Sequence, residues 1–304
     1  MRVTNNIMTN SIVRYLSTQN EALFKRQTII ASQKRLNKPS DDPLGMGNVL
    51  DYRQTLASID QYQKNIETGK TRLEVTEITL DLADELITLV RGIAQVESDG
   101  TTESRLKTAD SMKSLFDQVM NVANTKFNNN YMFSGNQIKT TPFSRDDALA
   151  TTFDKYTVTY NGDDGDVQII VAENTVVRID ADGQPIFHDA ASGGINIFDV
   201  MRDLIVGLEN DDTAAISSQV DLLDQAGIQL DEIRSTSVPI INQLQTTEKY
   251  WLNYKPKMEQ LLSKAEAADI TEAVIELQAI ALAYQATIAT AASIMQPGLM
   301  QFLK

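Results

Sequence analysis

Hydrophobic positions recur along most of this chain in alternating steps of four and three, the spacing that lays one apolar row along a helix and turns it toward a partner. In the last forty residues the row is Ile270, Val274, Leu277, Ala281, Tyr284, Ile288, Ala291 and Met295; Pro297-Gly298 are then expected to stop the helix, leaving Leu299, Met300, Phe302 and Leu303 as a short apolar end. Near the other terminus Met8, Tyr15, Ala22, Ile29 and Leu36 recur at sevens beside Leu16, Leu23 and Ile30, with Ile12 on the same stripe. Two adjacent rows predict a helix of roughly thirty residues, on the order of 45 Å long. Such a helix needs a partner, and the simplest one is the C-terminal row, so both chain ends are expected to pair as one coiled coil. These residues are the candidate assembly interface.

Between the ends the same pattern predicts more helix. Asn37-Lys38-Pro39 should end the first helix, because a proline disfavours helical geometry in the residue before it. Ser40, Asp41, Asp42 and Pro43 form a helix-cap motif, with Asp42 accepting backbone N–H groups and Pro43 in the first helical position. The second helix carries Ile59, Tyr62, Ile66, Gly69, Leu73, Thr76, Leu80, Ala83, Ile87, Val90 and Ala94, and ends at Ser98-Asp99-Gly100. A third, from about Thr102 to Phe127, places Leu106, Ala109, Met112, Phe116, Val119 and Ala123 on one face.

After Asn128-Asn129-Asn130 the period changes to two. Tyr156, Val158 and Tyr160, then Val167, Ile169 and Val171, then Thr175, Val177 and Ile179 alternate with polar residues, with turn chemistry at Asn161-Gly162, Asp164-Gly165 and Asp182-Gly183. A helical pattern returns at Ile197, and a long segment from about Thr213 to Ala265 follows, in which Pro239 and Pro256 are expected to kink or interrupt the helix. The fold class expected is therefore mainly α: a long antiparallel helical rod, a coiled coil formed by both chain ends, and a small inserted antiparallel β domain. Its parts would be 1–42 with 265–304 as the terminal assembly domain, 43–136 with 197–264 as the helical rod, and 137–196 as the β insertion.

Composition narrows the function. With 14 Gly and 7 Pro in 304 residues, long regular helices are favoured, and 6% aromatic content speaks against one large globular core. No Cys means no disulfide and no thiolate chemistry. The net charge of −14 argues against nucleic acid as a partner. The charge is uneven: residues 1–40 hold Arg2, Arg14, Lys25, Arg26, Lys34, Arg35 and Lys38 against Glu21 alone. No cleaved signal is visible in Met1 to Asn10, and no apolar run is expected to be long enough to span a bilayer, so no membrane partner is expected.

Candidate chemistry is sparse. The single histidine, His188, follows Phe187 in a polar stretch, so a His-pair zinc site is excluded and a triad would rest on this residue alone. Asp163, Asp164 and Asp166 lack the ligand register of a calcium loop and read as a solvated turn. There is no nucleotide-binding glycine motif, so neither a cofactor, a metal nor an enzymatic activity is expected.

Gln33-Lys34-Arg35-Leu36-Asn37-Lys38-Pro39-Ser40-Asp41-Asp42-Pro43, set about thirty-five residues into a heptad-patterned N-terminus, resembles the signature of the bacterial flagellin superfamily. Phe133-Ser134-Gly135 with Pro142-Phe143, Tyr160-Asn161-Gly162-Asp163, and the ending Ile294-Met295-Gln296-Pro297-Gly298-Leu299-Met300-Gln301-Phe302-Leu303 bring it nearest to that superfamily's hook-filament junction proteins, with flagellin itself as the alternative. One departure is Val238-Pro239-Ile240 before Ile241-Asn242-Gln243-Leu244, where many members have Gly, a small residue and Arg. The resemblance implies a structural subunit of the extracellular flagellum at the hook-filament junction, exported unfolded through the type III apparatus after a transient cytoplasmic stage. Its implied partners are flagellin, a hook-side junction protein of the hook-associated protein 1 type, like subunits in a ring or layer, and an export chaperone on the C-terminal helix. On this reading the apolar ends become ordered when they are buried in the assembly.

Overall fold

The computed structural model of the chain describes residues 2–300 apart from 147, 149, 150, 180–182 and 189–192; the side chains of residues 2–6 and 294–300 lie outside that description. Among the described residues the elements are helices α1 (Arg2–Ser32), α2 (Pro43–Ser98) and α3 (Thr102–Ala123), strands β1 (Lys126–Phe127), β2 (Asn130–Tyr131) and β3 (Phe143–Arg145), helix α4 (Thr152–Lys155), strands β4 (Val158–Tyr160), β5 (Gln168–Ala172) and β6 (Thr175–Arg178), and helices α5 (Gly183–Phe187), α6 (Ile197–Glu209), α7 (Thr213–Glu266) and α8 (Ile270–Met300). The mainly α class with small antiparallel sheets is what the periodicity predicts. The chain groups into two units, Met1–Ser58 with Leu252–Lys304, and Ile59–Trp251.

In the second unit the predicted row of α2 is the buried one: Ile59, Ile66, Leu73, Leu80, Ala83, Ile87, Val90 and Ala94 are all enclosed. From Leu80 onward it packs with Ala109, Met112, Phe116, Val119 and Ala123 of α3, with Leu204 and Leu208 of α6, and with Ile216, Leu223 and Leu230 of α7. Leu106 instead faces outward, because Arg105 takes the inward place at the start of α3 and donates to the carbonyls of Glu97 at 2.9 Å and Ser98 at 3.2 Å. The few aromatics are concentrated rather than absent from the core. Phe143 lies 5.2 Å from Phe198 and 5.6 Å from Phe187, centroid to centroid, and Phe133 lies 5.4 Å from Phe187, so the inserted segment is anchored through one ring cluster. Its start is fixed at Gly135, whose positive φ of 62° and closeness to Asp163 leave no room for a Cβ. Asp163 accepts the N–H groups of Asn136 at 2.7 Å and Gly165 at 3.2 Å, which commits its carboxylate to the backbone.

The strands pair differently from the simplest reading of their turns. β4 does not turn at Asn161-Gly162 to meet β5; it pairs back with β3, Phe143 opposite Tyr160, while β5 pairs with β6 and β1 with β2. The reason is local: the Asn161 backbone N–H donates to Pro142 O at 2.7 Å and its side-chain amide to Ser144 Oγ at 2.8 Å, so Asn161 closes the β3–β4 pair. The β5–β6 hairpin carries its own small core of Val171, Val177 and Ile179 against Ile66, Leu73 and Leu244. Trp251 Nε1 donates to Val171 O at 2.8 Å and Asn65 Nδ2 to Ile170 O at 2.8 Å, so side chains of α7 and α2 occupy carbonyls along β5.

The prolines do not interrupt the helices in which they lie. α7 is one helix through Pro239 and Pro256, and α8 continues through Pro297-Gly298 to Met300. Each proline removes one N–H, which frees the carbonyl four residues earlier; those belong to Ser235, Leu252 and Ser293, all exposed residues, where solvent can replace the lost donor. α8 also corrects the expectation about apolar runs: Ile270–Ser293, 24 residues, is long and apolar enough to cross a membrane by length and composition. Polar residues such as Glu272, Glu276, Gln278 and Gln285 interrupt it, which hides the run when only uninterrupted apolar stretches are sought.

Candidate assembly interface

In the first unit α1 and α8 pack antiparallel, in register with an Arg26–Glu276 ion pair at 2.7 Å and an antiparallel bridge between Lys34 and Ala267. Among the half-covered or buried positions of α1, Ile12, Leu16, Gln19, Leu23, Arg26 and Ile30 form a four-three alternation, with Ala22 and Ile29 beside it and Ser11, Thr28 and Ser32 also half-covered. On α8 the covered positions are Ala273, Leu277, Ile280, Tyr284, Thr287 and Ala291, with Val274, Glu276 and Ala281 beside them. The α8 seam is thus set a fraction of a turn away from the apolar row. Ala273, Ile280 and Thr287 belong to it and are not legible from apolarity, because two of the three are a small and a polar residue. Polar Gln19 and Arg26 at seam positions of α1 fix register in such pairs.

The rest of the candidate residues divide cleanly. Ile29, Leu36 and Ala291 are buried, whereas Met8, Tyr15, Ile270 and Ile288 are exposed in the single chain. Met295, Leu299, Met300, Phe302 and Leu303 lie outside the described side chains. Exposed apolar residues remain on both helices after they have paired: Ile7, Val13 and Phe24 on α1, and Ile275 and Leu282 on α8, with Tyr15 at 68%, Phe24 at 67% and Leu282 at 69% exposure. That is more than scattered single residues, and a helix apolar on several sides calls for more than one partner.

A polar joint sits where this helix pair begins. Asp42 Oδ1 accepts the Gly45 N–H at 3.0 Å and Pro43 is the first residue of α2, while Ser40 is exposed. Asp41 accepts the N–H groups of Asn37 at 3.2 Å and Lys38 at 3.0 Å and pairs with Lys25 at 3.0 Å. The Lys25 ammonium and these two N–H groups hold its carboxyl below the usual range. Leu36 is buried against Met46, Val49, Leu262 and Ala265. A second exposed apolar row lies on α2 in the second unit: Ile78, Leu82, Leu89 and Val96 all face outward. Its signal is the run of sevens from Leu82 to Val96, which the complete inward seam of α2 masks. Among the described residues no cluster of potential metal ligands occurs, and His188 approaches Val158 O at 3.3 Å through Nε2.

A family model described as the bacterial flagellin N-terminal helical region matches residues 3–138. Flagellin of Listeria monocytogenes is 28% identical over 132 residues, 43% of this chain and 46% of that protein. Flagellar hook-associated protein 3 of Escherichia coli is 28% identical over 151 residues, 48% of this chain and 47% of that protein. The chain spans about half the length of these curated relatives. Among solved structures, a flagellar hook-associated protein from Vibrio parahaemolyticus superposes with a TM-score of 0.65 at 20% identity, covering 75% of this chain and 100% of that one. Flagellar hook-associated protein 3 from Legionella pneumophila gives 0.61 at 18% identity, covering 71% and 98%. These two carry the fold. The resemblance to the flagellin superfamily holds: the matched relatives are named as flagellins, filament core proteins or hook-associated proteins.

Proposed function

With a flagellin N-terminal helical region in residues 3–138 as the premise, we propose that this chain is a structural junction subunit of the bacterial flagellum, joining a hook-side junction protein to the flagellin filament. The observation that carries the proposal is the apolar surface left on α1 and α8 once they have paired: a terminal unit that exposes Tyr15, Phe24 and Leu282 is built to be buried among like subunits and their neighbours. A bilayer is a poorer match for α8, since its partner α1 would bring Arg14, Glu21 and Lys25 into the hydrocarbon alongside it. In this reading 1–42 with 265–304 is the assembly domain, 43–136 with 197–264 the rod and 137–196 the exposed insertion. The chain travels unfolded through the type III export apparatus, with Ile270 to Leu303 masked by an export chaperone in the cytoplasm, and ends outside the cell in a ring or layer. The basic α1 stretch against an otherwise acidic chain supplies an attraction between neighbours.

Flagellin is the second reading, favoured by the Listeria match. Copy number separates them, because a filament subunit is abundant and polymerises on its own while a junction layer is scarce and stops. The test is electron microscopy of a deletion strain. Hooks without filaments and flagellin shed into the medium are expected; intact filaments would overturn the proposal. Removing Gln296 to Lys304 is expected to leave a soluble helical chain that does not support filament growth.

A further inference from the structure

Asn161-Gly162 is the one place in the chain where an asparagine precedes a glycine. A glycine nitrogen has no side chain beside it, so it approaches the preceding carboxamide with less hindrance than the nitrogen of any other residue. The fold nevertheless requires both partners. Asn161 closes the β3–β4 pair: its backbone N–H donates to Pro142 O at 2.7 Å, and its side-chain amide donates to Ser144 Oγ at 2.8 Å and Thr141 O at 3.4 Å. Gly162 is required by Tyr160, since a Cβ there would lie 2.3 Å from the Tyr160 hydroxyl oxygen. That hydroxyl is itself held, donating to Phe133 O at 3.1 Å, and its ring lies 5.2 Å from Phe143, centroid to centroid. Both Asn161 and Gly162 are only half-buried, so water and base reach them.

We propose that Asn161 is a site of spontaneous deamidation gated by the β3–β4 pair: protected while the pair is closed, reactive while it is open, and one-way in its effect. The Gly162 N–H gives its proton to solvent base, and the nitrogen attacks the Asn161 side-chain carbonyl carbon. A new C–N bond forms, the carboxamide C–N bond breaks, and the nitrogen leaves as ammonia with a proton taken from water. Water then opens the cyclic imide at either carbonyl, giving aspartate, or isoaspartate with the main chain rerouted through the side chain. The gate follows from which atom departs. It is the nitrogen that donates to Ser144 and Thr141, so both bonds are given up before ammonia leaves. Closing the ring also turns the Asn161-Gly162 peptide toward its own side chain, against the bond to Pro142 and the Tyr160 hydroxyl beside Gly162. Reaction therefore runs through the opened pair, at a rate set by how often it opens. Neither product restores the closure. A carboxylate has no hydrogen to give Thr141 O, and Ser144 must reverse its hydroxyl to meet it. Isoaspartate adds a carbon to the main chain immediately past the Phe143–Tyr160 pairing. A chain that deamidates while unfolded accordingly carries a weakened insertion once it folds. This site stands or falls separately from the junction role.

The test follows the full-length chain by peptide mass spectrometry, with isoaspartate detected separately, at mildly alkaline pH in native buffer and in denaturing urea. Wild type is expected to convert Asn161 at least about tenfold more slowly in native buffer than in urea. Ser144→Ala, at an exposed position, should speed the native conversion several-fold and leave both the urea rate and the melting temperature unchanged. Equal wild-type rates in the two solvents would overturn the gate, as would a native rate for Ser144→Ala no faster than wild type. Asn161→Asp supplies the ordinary-linkage product directly. Its amide at position 161 is expected to exchange about tenfold faster than in wild type while exchange in α2 is unaltered; exchange at the wild-type rate would overturn the one-way effect.

Discussion

Gly69 shows how a single position can hold an insertion to a helix. A Cβ built there would lie 2.5 Å from Ile169 Cδ1 and 3.3 Å from Ile179 Cγ2, so the β5–β6 hairpin rests directly on the α2 backbone. Gly92, on the same helix, has nothing within 4 Å of that position. Alanine at Gly92 is expected to stabilise by roughly 0.5–1 kcal/mol through helix propensity, whereas alanine at Gly69 must first push the end of the half-buried Ile169 side chain aside, which offsets that gain. A urea midpoint that rises more for Gly92→Ala than for Gly69→Ala checks the pair; equal rises would mean that the hairpin is not seated on Gly69. Asp84 gives a second residue-scale test. Burial and the nearby Asp231 raise its pKa, opposed by Arg234, which also pairs with Glu77 and Asp81. A raised carboxylate pKa means stability is lost as pH rises from the ordinary aspartate value through the folded one. Asp84→Asn should therefore be more stable than wild type at pH 7, with the difference vanishing below the ordinary aspartate range; thermal melts across pH measure it.

At the scale of elements, the long helices are legible in the sequence and the joints between them are not. α2 can be read because one row, Ile59 to Ala94, stays on one face for about ten turns and its members meet partners. The α8 seam can be read only to within a fraction of a turn, since an apolar helix offers several candidate rows and Ala273 and Thr287 do not announce themselves. The β pairing is misread because Asn161-Gly162 has the chemistry of a hairpin turn while its side chain is used to close β3 onto β4. The prolines mislead for a related reason: the cost of a missing N–H depends on whether the freed carbonyl reaches water, which sequence periodicity does not report. Pro239→Ala should accordingly restore one hydrogen bond without straightening a break, raising the stability of the second unit by about 1–3 kcal/mol. A guanidinium midpoint at or below wild type would show that Pro239 is preferred there.

For the whole molecule, the outward rows are where assembly and folding part company. Leu282→Asp changes a side chain that is 69% exposed in the single chain, so it is expected to leave helicity and melting temperature within experimental error while abolishing incorporation into flagella. Normal incorporation would place the contact face elsewhere. The antiparallel seating of α1 on α8 also carries a consequence for time rather than for space. The residues that close the joint, Arg35 and Ala265, are 230 positions apart in the chain, while α2 and α3 of the second unit are near neighbours in sequence. Closing so long a loop is entropically dear until the intervening chain has collapsed and brought its ends together. The second unit is therefore expected to fold first and the terminal pair to lock last, completed when its outward rows are buried, so in pulsed exchange of the single chain α2 and α3 acquire protection before α1 and α8.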